Sequence, residues 1–126
     1  MTENDLTYKI RKGIYEVSNT LGSGLLESVY EKALLIELEE QGLVVQSQVP
    51  ISVSYKENDL GLGFRADILV EDKIIIEVKS VSELNPIHHK QLLNYLKLTN
   101  LHLGILVNFN TSDINKNIIR IVNGYL

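Results

Sequence analysis

The chain has 126 residues, 44% of them hydrophobic, with 12 basic and 16 acidic side chains, a net charge of −4 and no cysteine. That length suits one domain over residues 1–126 that buries roughly two thirds of the surface its unfolded form exposes, and the lack of cysteine excludes disulfides, thiolate metal clusters and a cysteine nucleophile. The acidic balance argues against a general nucleic-acid coat protein, which binds by displacing counterions with lysine and arginine, although a local cleft can still meet phosphate through a metal.

The opening MTENDLTYKIRK mixes acids and bases where a secretory signal has an apolar run, no stretch is long enough to span a membrane, and the cytoplasm is the expected location. From about Asp5 to Asn19, Leu6, Ile10, Ile14 and Val17 recur at helical spacing and predict a first helix. Leu21-Gly22-Ser23-Gly24 breaks it. A second helix is expected from about Leu25 to Gln41, capped by Ser23, ended at Gly42, with Leu26, Tyr30, Leu34 and Leu38 as its buried stripe.

After Gly42 the pattern turns to strands: Val44 to Ser47, then Val49 to Tyr55, where Ile51, Val53 and Tyr55 alternate with serines. Lys56 to Asp59 reads as a turn, and Leu62 to Val70 and Ile74 to Lys79 as a hairpin joined by Glu71-Asp72-Lys73. Ile74-Ile75-Ile76 is apolar on both faces, as in the middle of a covered sheet. Asn85-Pro86 supplies a cap and first-turn proline for a third helix to about Thr99, with Leu92, Leu93 and Leu96 inward. Leu101 to Phe109 is a further strand, and Asn115 to Val122 is expected to end in a short one.

Glu77 and Lys79 are two apart on one strand and share a face. With the loop taken as Glu71 to Lys73, Val70 faces Ile74 and Asp67 stands opposite Glu77. Two carboxylates about 4 Å apart repel by about 4 kcal/mol at an effective dielectric near 20. A divalent cation would relieve that repulsion, and oxygen ligands are those magnesium prefers. A structural ion pair at a sheet end explains the same residues, and the hairpin by itself does not choose between the two. Glu27 falls on the expected buried stripe of the second helix, from which it could reach the same place, or it is a first-turn acid favoured by the helix dipole.

Gly24-Leu25-Leu26-Glu27-Ser28-Val29-Tyr30 reads G-x-x-E-x-x-Y, and the chain from about Leu6 onward resembles the bacterial and archaeal family named for that motif, which looks like a branch of the PD-(D/E)XK nuclease superfamily. The superfamily signature would here be Asp67, then Glu77-Val78-Lys79. Gln91 to Tyr95 is similar to the Q-x-x-x-Y motif of RecB-type nucleases, and Asn108-Phe109 also looks like the family. The resemblance implies an α/β fold with a restriction-endonuclease-like core, a mixed central sheet of about four to five strands flanked by helices.

It further implies a nuclease dependent on magnesium or manganese, acting on DNA in preference to RNA. Asp67, Glu77 and the carbonyl of Val78 would hold the ion, with Glu27 completing the acidic cluster. Lys79 would orient the attacking water or stabilise charge on the phosphate. Gln91 and Tyr95 would line the cleft, and Arg65 and Lys90 are candidate phosphate contacts. Tyr30 is expected in the core and His102 in a structural role, while His88 and His89, adjacent on a helix, point apart. The alternative function is a catalytically inactive nuclease-fold module that binds nucleic acid or protein. For the nuclease a homodimer is expected, on the sole ground that cutting two strands takes two sites.

Overall fold

The computed structural model describes residues 1–124. Its elements are α1 (Glu3–Leu21), α2 (Glu27–Glu40), β1 (Val45–Tyr55), β2 (Asn58–Val70), β3 (Ile74–Lys79), α3 (Pro86–Thr99), β4 (Leu103–Asn108), a 3-10 turn (Ile114–Asn117) and β5 (Ile118–Val122). The five strands lie in the order β1-β2-β3-β4-β5. Neighbours are antiparallel except β3 and β4, which run parallel and are joined through α3, the crossover that a parallel pair requires. This is the mixed sheet flanked by helices expected from the sequence.

The helices divide between the two faces. Leu6, Ile10, Ile14 and Val17 of α1 and Tyr30, Leu34 and Leu38 of α2 pack on Ile68, Ile74, Ile76, Val78, Ile105 and Val107. Leu92, Tyr95 and Leu96 of α3 cover Ala66, Ile75 and Leu106 on the other face. Ile74, Ile75 and Ile76 are therefore buried from both sides, as their unbroken apolar run implies. Gly104 lets α3 come close, since a Cβ there would stand 3.0 Å from Leu92.

Chain ends of the helices follow local chemistry. Thr2 and Asp5 form a capping box on α1, and Asn85 does so on α3, where His88 Nδ1 accepts from the Asn85 amide at 3.2 Å. The second helix departs from expectation. It starts at Glu27 with Leu26 at the capping position and no side-chain cap, so Ser23 caps nothing, and Leu26 is 74% exposed rather than buried. The physical reason is Tyr30. Its hydroxyl accepts from the Leu25 amide at 3.1 Å and donates to the Gly22 carbonyl at 2.6 Å. Its ring stacks on Phe109 with centroids 4.7 Å apart. The loop is thus tied from inside the core, and Leu26 lies outside the first turn.

Three strand boundaries also shift. β1 is continuous through Gln48, which takes a left-handed φ of 52° in place of a break. β2 begins at Asn58, because Lys56 and Glu57, at φ 49° and 67°, make a two-residue hairpin turn. β4 starts at Leu103, since the Leu101 amide still donates to Leu96 at the end of α3. His102 is structural as expected, its Nδ1 lying 2.9 Å from Glu3 at the start of α1.

Replacing Tyr30 by phenylalanine keeps the stack on Phe109 and removes the hydroxyl that ties Gly22 and Leu25. Tyr30→Phe should cost about 1–3 kcal/mol, read as a lower urea midpoint at unchanged slope. A midpoint equal to wild type would mean that the clamp contributes nothing.

Candidate functional site

The loop Glu71 to Lys73, with φ of 53° at both Glu71 and Asp72, sets the β2–β3 register at Val70↔Ile74, Leu69↔Ile75 and Ile68↔Ile76. The next pair in that register is Asp67 and Glu77, and there side chains replace the backbone ladder. The Asp67 amide donates to Glu77 Oε1 at 3.2 Å, and the Val78 amide donates to Asp67 Oδ2 at 2.8 Å. Asp67 and Glu77 therefore converge where the two strands part, as the three-residue loop predicts.

Glu77 is only 4% exposed. Burial, then the charge and contact of Asp67, push its carboxyl up from 4.5 to about 9, against the smaller opposing pull of an Asp67 backbone bond and the Lys79 ammonium. The shift favours the protonated carboxyl near neutrality. Lys79, two residues on and half-buried, shares its face of β3. Val78 between them turns its side chain into the α1–α2 core, leaving its carbonyl as the backbone donor closest in sequence.

A reversal in both β1 and β2 sets the direction of Asp67. Ile68 packs with α1 and α2, yet Ala66, two residues earlier, packs with α3. Val45 and Val49 on β1 divide the same way. A regular strand would keep each pair on one face. The reversal falls at Gln48 and Asp67, which stand opposite each other between the pairs Ser47↔Ile68 and Val49↔Ala66. Gln48 Nε2 donates to Glu31 Oε1 at 2.9 Å and Oε2 at 3.1 Å, and reaches Asp67 Oδ1 at 3.5 Å.

Glu31 thus joins the cluster, and sequence reasoning missed it. The available signal was its place four residues after Glu27, on the same helix face. Burial raises its carboxyl above the ordinary range, helped by Asp67 and Glu27 and opposed by the Gln48 bond. Glu27 itself is exposed at the first residue of α2, not buried on the stripe as expected. It still reaches the end of β3, where Oε2 accepts from the Ser80 amide at 3.3 Å.

From the opposite layer, Tyr95 is 5% exposed, and burial followed by the charges of Glu77 and Asp67 raises its hydroxyl above the usual phenol range. Gln91, one turn earlier, is half-buried. Arg65 is exposed and lines a separate hollow with Pro50, Ser52, Gly61 and Phe64. His88 is spent on the α3 cap. Lys90 is exposed.

A cavity of about 640 Å³ opens beside the cluster: it is lined by Asn85, His89, Leu106, Asn108, Asn110, Lys116 and neighbours, and Leu106 and Asn108 are the β4 partners of Glu77 and Lys79. It holds none of the four acids. Its deepest amide, Asn108, is consumed by the Val81 backbone and the Asn110 amide. The acidic cluster is the better candidate for chemistry because its groups carry the electrostatic stress. Among the described residues no three acidic or histidine side chains close on one point. The paired carboxyls and the Val78 carbonyl are nevertheless hard oxygen donors of the kind a divalent cation takes, and the displaced Glu77 carboxyl is what such a cation would relieve.

A family model described as the PD-(D/E)XK nuclease superfamily matches residues 4–121. No curated protein and no solved structure matches the chain.

The Glu77 shift has a consequence for stability. Its folded-state value lies above its unfolded value of 4.5, so between that pH and about 9 the folded state holds a proton that the unfolded state has lost. The contribution is full below pH 4.5 and declines as pH rises toward 9. Glu77→Gln, neutral at every pH, should therefore be more stable than wild type at pH 7 to 8 by on the order of a few kcal/mol. The gap should close toward pH 4.5 in urea titrations across pH; a constant gap would refute the shift.

Proposed function

From the premise that the chain belongs to the PD-(D/E)XK nuclease superfamily, we propose that it is a divalent-metal-dependent nuclease that hydrolyses phosphodiester bonds, with DNA preferred over RNA. The observation that carries this reading is the Asp67–Glu77 contact, in which a buried carboxyl is held against a second acid and beside a lysine. The matched span, Asp67, Glu77-Val78-Lys79 and the Gly24–Tyr30 segment support placement with the G-x-x-E-x-x-Y group of that superfamily. The preference for DNA rests on the likeness to the superfamily.

In this reading Asp67, Glu77 and the Val78 carbonyl hold magnesium or manganese. A cation held by these groups would polarise the phosphodiester and lower the pKa of a water. Lys79 orients that water and balances the negative charge that grows on the phosphate. Glu27 and Glu31 complete the acidic wall from α2, and Gln48 fixes the direction of Glu31 and Asp67. Tyr95 and Gln91 line the cleft from α3 and position the phosphate. Val78, anchored in the core, keeps Glu77 and Lys79 in register. A homodimer and a cytoplasmic location are part of the same proposal.

One observation favours the alternative of a catalytically inactive nuclease-fold module. The neutral Gln48 amide already bridges Glu31 and Asp67, a place that an active site could give to a cation.

Two measurements separate these readings. Plasmid, linear duplex and single-stranded DNA incubated with magnesium or manganese should be cut by the wild type. Glu77→Ala and Lys79→Ala, purified identically, should lose at least about a hundredfold in rate. Cleavage that persists in both variants would identify a contaminant and end the nuclease reading. In thermal melts, saturating metal should stabilise the wild type, by about 2.7 kcal/mol at a hundredfold excess over the dissociation constant, and leave Glu77→Ala unmoved. Absence of both cleavage and metal shift would establish the inactive module.

A further inference from the structure

We infer that Phe64 is a stacking platform for an unpaired base, so that the strand presented to the acidic cluster is single-stranded or locally opened; the inference rests on the nuclease reading above. The β1–β2 hairpin runs past the rest of the sheet. β3 pairs with β2 only over Ile68 to Val70, and the residues from Asn58 to Ala66 pair with β1 alone. On this overhang Phe64 is 47% exposed. It shares a strand face with Ala66, which packs with α3.

The position of the ring links it to the chemistry. Its centroid lies 5.4 Å from that of Tyr95, with the planes at 39°. Tyr95 in turn lies within the field of Glu77 and Asp67. One buried phenol therefore separates an exposed apolar ring from the reactive acids. Along β2, Phe64 is three residues from Asp67, roughly 10 Å at strand rise. A nucleotide flanking the bond held by the acids comes within reach of the ring.

Packing on Tyr95 accounts for only the inner part of Phe64. Its cross-strand partner Ile51 is already 3% exposed, so the core beneath is closed without the outer half of the phenyl ring. The ring offers no charge or hydrogen bond to phosphate. It offers a π-face, which every nucleobase matches. In a continuous duplex those faces are occupied by neighbouring bases, and only an unstacked base can meet the ring. Charge points the same way: with a net charge of −4, the chain is poorly suited to the many phosphate contacts that carry duplex affinity, and stacking supplies affinity that does not need them.

The test uses the full chain carrying Glu77→Gln to prevent cleavage, in magnesium, with fluorescein-labelled oligothymidine and a blunt duplex of equal length read by anisotropy. Phe64→Ala and Phe64→Leu should weaken oligothymidine binding about tenfold, Phe64→Trp should restore it, and duplex binding should change by less than about twofold in all three. Phe64→Leu keeps apolar bulk and should melt like its parent, which separates lost stacking from lost folding. Unchanged oligothymidine binding in Phe64→Ala and Phe64→Leu overturns the platform, as does failure of Phe64→Trp to restore it or an equal loss on the duplex. If the parent binds neither probe and the wild type cuts no DNA, the nuclease reading itself falls, whereas DNA cleavage with Phe64-independent binding removes the platform alone.

Discussion

The contact between Asp67 and Glu77 is the constraint around which the rest of the molecule is arranged. Each carboxyl takes the place of a ladder bond on the opposite strand, Glu77 accepting from the Asp67 amide and Asp67 from the Val78 amide. The strands can separate there without leaving buried amides unpaired, which would cost about 1–3 kcal/mol apiece. Separation is also what makes a site: a continued ladder would carry both side chains into ordinary sheet positions. The surrounding elements make the arrangement affordable. The isoleucine row of β3 is covered on both faces, and the Tyr30–Phe109 stack binds α2 to the end of β4.

The paired reversal at Gln48 and Asp67 extends this logic to the second helix. A left-handed residue in a strand is strained for any side chain but glycine, yet Gln48 holds φ at 52°. What the strain achieves is visible in its hydrogen bonds, since the turned side chain reaches α2 and holds Glu31 while touching Asp67. The acids of α2 and β2 are thereby placed relative to each other through one amide. Glu27, one turn earlier on the same helix face, is tied separately to Ser80 beyond Lys79. Two independent links thus fix α2 to the site.

Much of this was legible from residue order because local chemistry decides it. The length of the Glu71–Lys73 loop fixes which side chains oppose across β2 and β3, and Asn85-Pro86 marks the start of α3 to the residue. The Ile74–Ile76 run announces a doubly covered strand. What escaped depends on tertiary contact. Glu31 reads as a solvated helix acid until Gln48 arrives from β1, and Gln48 does so only through a left-handed backbone that a glutamine does not advertise. The start of α2 differs from its periodicity because Tyr30, a stripe residue by spacing, also spends its hydroxyl on the preceding loop. Period alone puts Glu27 on the buried stripe, whereas it stands exposed at the first residue of α2 with its carboxylate on the Ser80 amide.

The state of Glu77 connects stability to the proposed chemistry. With its carboxyl pushed up to about 9, the folded chain near neutrality carries a proton there and avoids a buried second negative charge beside Asp67. The same oxygens can serve a divalent cation only after that proton has left, because metal ligands bind deprotonated. Under the proposed function, proton and cation would be alternative occupants of one electrostatic position, each removing the repulsion between the two carboxylates. A glutamine at this place would give the stability of the protonated form permanently and surrender the exchange. That a glutamate stands there, at a cost to the fold through the whole neutral range, is understood if the exchange is what the site exists to perform.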